Sequence, residues 1–263
     1  MSSKMSTTLI TGASGGIGKA FAEELAARKT NLVLVSRSEE KLNQIAEKLE
    51  QQHQIKVEVI PKDLTENNAT NEVFDFIKSQ EITIDLLINN AGFGDYGDFA
   101  ERDGERQLKM IQLNIMALVD LTHKFLPLMR QRRSGSIINV SSIAGFQPMP
   151  YISVYGATKA FVMSFSEALW AENKDYGVKV LVVCPGPTET DFFIEAQFPE
   201  TLASANNKLA TPEEVVKDAL QGLEKGDLNV VSGGLANKII VNMHRFLPRE
   251  SLVSAIAKQF KHG

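Results

Sequence analysis

A tyrosine and a lysine four residues apart, Tyr155 and Lys159, are the first pair in this sequence that could do chemistry. On a helix, positions i and i+4 share a face, one turn apart. The ammonium then sits close to the phenol. A phenol titrates near ~10 and is a poor acid at neutral pH. A neighbouring cation favours the phenolate and lowers that value, toward general acid/base work. Ser142 follows the apolar run Ile137-Ile138-Asn139-Val140 and could set a hydroxyl beside the same oxygen. A helix with one exposed Lys and one half-buried Tyr would show the same spacing, so the pair needs support from the rest of the chain.

The second constellation is Thr11-Gly12-Ala13-Ser14-Gly15-Gly16-Ile17-Gly18. It lies between the apolar pair Leu9-Ile10 and a helical pattern through Ala20, Phe21 and Leu25. Strand, glycine turn and helix are the context of a phosphate cradle. Glycines let the backbone approach an anion, and the unpaired N–H groups of the helix start attract it. The spacing Gly-x-x-x-Gly-x-Gly differs from the usual Gly-x-Gly-x-x-Gly dinucleotide fingerprint. A plain tight turn would explain fewer glycines than these four, Gly12, Gly15, Gly16 and Gly18.

Elements that position these groups can be read from hydrophobic periodicity. Strands are expected at Asn31–Val35, Ile55–Ile60, Ile84–Ile88, before Ser142, at Val178–Cys184 and at Leu228–Val231, with Ile55–Ile60, which alternates with charges, nearest a sheet edge. Helical patterns separate them, including a long one over about 104–132 that Pro127 should kink. Thr211-Pro212-Glu213-Glu214 is a capping box with proline at the first helical position. Alternating strands and helices imply an α/β fold: a Rossmann-type, doubly wound parallel sheet of about seven strands with helices on both faces. We read one domain over 1–263, a core at 7–234 and a tail at 235–263. Asn89-Asn90-Ala91-Gly92, Ser141-Ser142 and Pro185–Thr190 all follow strands, where open α/β sheets bind ligands. Asn114 falls within an apolar helical stripe, so it is either functional or braced to backbone. Residues 191–210 lack periodicity and read as a lid, in which Phe192 and Phe193 could line a site or simply pack.

Bulk properties exclude several classes. The 263 residues carry a formal charge of −4, which argues against a nucleic-acid partner. The single cysteine, Cys184, rules out an internal disulfide and a cysteine-cluster zinc site. The four histidines show no metal-ligand spacing, so no metal is expected. The polar start, Met1 to Ser6, and the lack of a long apolar run give a cytoplasmic expectation.

Together these motifs resemble the short-chain dehydrogenase/reductase family, over about 8–232. Thr11-Gly12-x-x-x-Gly16-x-Gly18, Asn89-Asn90-Ala91-Gly92, Asn114, Ser142, Tyr155-x-x-x-Lys159 and Pro185-Gly186 stand in that family's order. The resemblance implies that Tyr155 moves the proton at the substrate oxygen and Ser142 polarises the carbonyl. It implies that Lys159 lowers the Tyr155 pKa and holds the nicotinamide ribose, and that Asn114 anchors a relay water. Gly12, Ser14, Gly16, Ile17 and Gly18 would surround the phosphates and adenosine ribose. Asp63 and Leu64 would flank the adenine, and Asn90, Ala91 and Gly92 the ribose. Pro185, Gly186, Thr188 and Thr190 would hold the nicotinamide end. A homodimer or homotetramer packed through the Asn114 and Tyr155 helices is implied as well.

The expected activity is hydride transfer between a nicotinamide and a carbonyl or secondary alcohol. A catalytically inactive nucleotide-binding scaffold is the alternative, although a scaffold has no need of a tuned phenol. NADP(H) is the expected cofactor. The end of the second strand holds Ser36, not the acidic residue an NAD enzyme uses there, and Arg37 can grip a 2′-phosphate. Gly15 stands where some NADP-preferring members carry another basic residue. The aromatic lid suggests an apolar substrate: a ketone, a steroid-like ring or an acyl chain. The tail mixes Ile239, Ile240, Val241, Met243 and Phe246 with Lys238, Arg245, Arg249 and Lys258. It could lie on a membrane surface, but packing over the lid or a partner subunit is the preferred reading.

Overall fold

The computed structural model describes residues 5–204, 209–243 and 247–261. Seven strands form one parallel sheet: β1 (Thr7–Thr11), β2 (Asn31–Ser36), β3 (Val57–Pro61), β4 (Leu86–Asn89), β5 (Gly135–Val140), β6 (Val178–Pro185) and β7 (Asn229–Ser232). Their order is β3-β2-β1-β4-β5-β6-β7, with β3 on an edge as its alternating charges suggest. The chain first winds outward from β1 to β3, then returns to place β4 on the other side of β1. That reversal opens a crevice at the carboxyl ends of β1 and β4.

Alternate strand residues feed two cores. Ile10, Leu32, Leu34, Ile88, Ile138, Leu181 and Val183 face one layer of helices: α1 (Gly16–Ala27), α2 (Glu39–His53) and α9 (Pro212–Lys225). Leu9, Val33, Val35, Leu87, Ile137 and Val180 face the other, with α3 (Ala69–Ser79), α5 (Leu118–Gln131) and α6 (Ser153–Asn173). Both faces of the strands are buried, which is why they read as apolar runs. Ser38 caps α2 by accepting from the Lys41 N–H, and Thr211 and Glu214 form the expected reciprocal box on α9.

Two expectations need correction, and the tail becomes readable. The long helix over 104–132 is three pieces: α4 (Gly104–Ile111), a π-helical stretch Gln112–Ala117, and α5. The chain stays helical through Pro127, and a departure from α geometry lies around Asn114. The aperiodic lid contains two short helices, α7 (Phe192–Glu195) and α8 (Glu200–Ser204). Its residues 205–208 lie outside the described residues. The tail is ordered into α10 (Leu235–Ile240) and α11 (Arg249–Lys261). Leu252 and Ile256 of α11 are buried, and the Tyr96 hydroxyl donates to the Phe260 carbonyl. The tail therefore closes over the lid side of the molecule, the packing reading preferred above. Arg245 and Phe246 fall outside the described residues.

Candidate active site

The loops after the strands enclose one cleft of about 950 Å³. Gly12, Ser14, Gly15, Gly16, Ile17, Ser36, Arg37, Asp63, Leu64, Asn90, Ala91 and Gly92 line one part of it. Ser142, Tyr155, Lys159, Pro185, Gly186, Thr188 and Thr190 line the middle. Phe93, Ile143, Met149, Ile152, Phe192, Phe193, Phe198, Leu202 and Phe260 give the remainder an apolar wall. Two expected residues stand behind the lining: Gly18 and Asn114. A Cβ on Gly18 would sit 2.2 Å from the Gly12 carbonyl oxygen, so this glycine lets α1 pack directly under the turn.

The turn after β1 is tied to the end of β4. Thr11 Oγ1 accepts from the Asn90 and Ala91 N–H groups, each at 3.0 Å, and Asn90 Nδ2 donates to the Thr11 carbonyl at 2.9 Å. Gly12 has φ +65°, and a Cβ there would lie 2.9 Å from Ala91 Cα, so only glycine lets the two loops meet. Gly15 precedes α1 in an extended conformation with no side-chain cap and open space where a Cβ would be. The first N–H groups of a twelve-residue helix thus face the cleft uncapped, which fits an anion. At the end of β2 the Ser36 hydroxyl is buried without a hydrogen-bond partner, and Arg37 is exposed on the cleft. An orphan hydroxyl beside a guanidinium fits a phosphate.

Tyr155, Ser142 and Lys159 converge as their spacing suggests. Ser142 Oγ accepts from the Ala144 N–H at 3.1 Å and donates to the Pro185 carbonyl at 3.5 Å, and it interacts with the Tyr155 phenol. Lys159 Nζ donates to the Val140 carbonyl at 2.8 Å and lies 5.7 Å from the Tyr155 ring centre. The electrostatics differ from expectation. Burial pushes the Tyr155 phenol up to about 12, against the opposing Ser142 bond. Burial pulls the Lys159 ammonium down to about 8. Both groups are taken out of water and the Nζ proton is turned to a strand carbonyl, so burial dominates at the phenol. Asn114 is braced to backbone: its Oδ1 accepts from the Phe93 N–H at 3.1 Å, and its Nδ2 donates to the Phe93 carbonyl at 3.0 Å and to Thr158 Oγ1 at 3.1 Å.

The apolar wall is partly new. Phe192 meets the Tyr155 ring at 5.1 Å, and Phe198 meets Tyr96, Phe193 and Phe260. Phe192 and Phe193 therefore both pack and line the cleft. Gln147, Met149, Gln259 and Phe260 also line it, as do Lys41 and Lys62 near Arg37. Lys41 was findable, one helical turn past Arg37; the contribution of Phe260 was not, because a contact so distant in sequence leaves no local signal.

A model of the short chain dehydrogenase family matches residues 6–200. This chain belongs to the short-chain dehydrogenase family. One relative is 17-beta-hydroxysteroid dehydrogenase type 3 of Mus musculus, 35% identical over 255 residues, covering 96% of this chain and 79% of that protein. Another is the very-long-chain 3-oxoacyl-CoA reductase of Homo sapiens, 32% identical over 244 residues, covering 89% of this chain and 74% of that one. Among solved structures, a short-chain dehydrogenase from Sphingobium yanoikuyae in complex with NADPH superposes with a TM-score of 0.82. It is 33% identical over 95% of this chain and 96% of its own. As a short-chain dehydrogenase, the chain carries β1 to β6 and the glycine turn within the matched span, while α9, β7 and the tail helices lie beyond it.

Proposed function

We propose that this short-chain dehydrogenase uses NADPH to reduce a ketone carried on a bulky apolar substrate, a steroid-like ring or a long acyl thioester. The observation that carries this reading is the meeting of Tyr155, Ser142 and Lys159 with an aromatic wall inside one cleft. A relative that acts on hydroxysteroids, another on very-long-chain 3-oxoacyl-CoA, and a solved structure holding NADPH support it. The glycine turn and uncapped start of α1 hold the pyrophosphate, and Ser36 and Arg37 hold the 2′-phosphate. When bound, the nicotinamide supplies a hydride. Everything else is done by side chains. Tyr155 gives its phenolic proton to the carbonyl oxygen, and Ser142 holds that oxygen and the phenol together. The phenol is protonated at neutral pH, the form needed to act as the acid in reduction. Lys159 lies against the ribose side of the cleft, where a cation stabilises the phenolate left after transfer. Phe192, Phe198 and Phe260 exclude water from the reacting carbonyl.

The test is NADPH oxidation against a panel of steroid ketones, 3-oxoacyl thioesters and small ketones. Tyr155→Phe should lower kcat by about 10²- to 10⁴-fold with NADPH affinity nearly intact. Turnover close to wild type in that variant would remove Tyr155 from the mechanism.

A further inference from the structure

Behind the aromatic wall lies a charge cluster that the proposed reaction does not use. Asp95 follows β4, and its side chain is completely buried. Its two oxygens accept four side-chain bonds. Arg102 approaches with Nε at 2.8 Å and Nη2 at 2.6 Å, Arg106 Nε lies at 2.8 Å, and Gln107 Nε2 completes the set. Burial raises the Asp95 pKa, but the two guanidiniums outweigh it and hold the carboxyl below its usual range.

Such a cluster is weak as a device for stability alone, because apolar residues of similar volume commonly do as well. Its outward bonds show what it does. Arg106 Nη2 donates to the Glu195 carbonyl at 2.7 Å, and Arg102 Nη2 donates to Gln197 Oε1 at 2.7 Å. Both acceptors belong to the lid. Beside them the Tyr96 N–H donates to the Ala196 carbonyl at 2.8 Å. The clamped segment carries Phe192 and Phe198 at its two ends, and Phe192 is the ring against Tyr155.

We propose that Asp95 is a positioning residue that sets substrate size preference. By fixing Arg102 and Arg106 it holds residues 195–197 in place, and so fixes the Phe192–Phe198 wall against which a bulky ketone is oriented. A small ketone does not need that wall. The assignment rests on the proposed ketone reduction for its kinetic readout, but not for its structural one.

The experiment compares full-length wild type with Asp95→Asn, which keeps shape and removes the charge, and with Gln197→Ala, which cuts only a lid-side contact and leaves the buried cluster whole. Asp95→Asn should raise KM for a bulky ketone about tenfold or more, with NADPH affinity and small-ketone kcat/KM within about threefold of wild type. Chymotryptic cleavage after Phe192 or Phe193, located by mass spectrometry, should accelerate about fivefold or more, because opening governs cleavage. Gln197→Ala should move both readouts the same way by less, and it keeps the test decisive if Asp95→Asn does not fold. Lid cleavage unchanged from wild type in the folded variants overturns the proposal, as does an equal loss on bulky and small ketones. If wild type reduces no ketone, the proposed function fails while the cleavage arm still decides whether Asp95 holds the lid.

Discussion

Two side chains of the cleft carry the choice of cofactor and the cost of the catalytic pair. Arg37 is exposed beside the orphaned Ser36 hydroxyl. A lost charge-assisted contact costs roughly 1.5–3 kcal/mol, about ten- to a hundredfold in affinity. Arg37→Ala should therefore weaken NADPH by about that factor and leave NADH nearly unchanged, while Ser36→Asp should shift preference toward NADH. Titration of both cofactors checks this, and equal or tighter NADH binding by the wild type would sink it. Lys159 makes a different point. Its pKa falls from 10.5 to about 8 on burial. Below about 8 both folded and unfolded chains hold the proton, and the folded protein bears the full cost of the buried cation. Between about 8 and 10.5 the unfolded chain binds a proton that the folded one lacks, so stability rises with pH. The buried phenol acts in the opposite sense at higher pH: raised from 10.0 to about 12, it loses its stabilising share as pH climbs through that interval. Lys159→Met, melted without nucleotide, should exceed wild type by about 1–3 kcal/mol at neutral pH, less whatever the lost Val140 bond costs. The gap should narrow as pH approaches 10. A constant gap from pH 7 to 10 would mean that burial is not what lowers this lysine.

At the level of elements, local chemistry was legible and distant contacts were not. Ser38 and Thr211 announce the starts of α2 and α9 because a cap is written in four adjacent residues. The π-helical stretch around Asn114 was not visible. Its apolar positions fit an ordinary α-helical stripe. The bracing of Asn114 to Phe93 is a contact with a loop 21 residues away. The same holds for α10. Asn237 is buried and donates to the Ser232 carbonyl at 2.9 Å and the Gly233 carbonyl at 3.2 Å. A Cβ on Gly186 would stand 2.0 Å from its Nδ2, so α10 is fitted directly under the loop after β6. Gly186→Ala should cost about 1–3 kcal/mol by overpacking, and Asn237→Ala about 1 kcal/mol. Since the first penalty exists only while Asn237 is present, the double variant should cost clearly less than the sum. Strict additivity in denaturant melts would show that the two residues do not meet.

Across the whole molecule, the parallel sheet and the grouping of the cleft loops followed from strand–helix alternation, because a parallel sheet puts every strand end on one edge. The tuning of the site did not follow. The Tyr155–Lys159 spacing is right, but its electrostatic effect depends on burial, which is a property of the packed chain. The closing contact is similarly global: Tyr96 reaches Phe260 across 164 residues. A loop of that length adds little to the entropy of closure. In time, however, it comes last. Synthesis runs from the N-terminal side, and structure is acquired in that order. Every strand of the sheet and the whole glycine turn precede α11 along the chain. The nascent chain can thus complete the glycine-turn end of its cleft before the wall that carries Phe260 arrives.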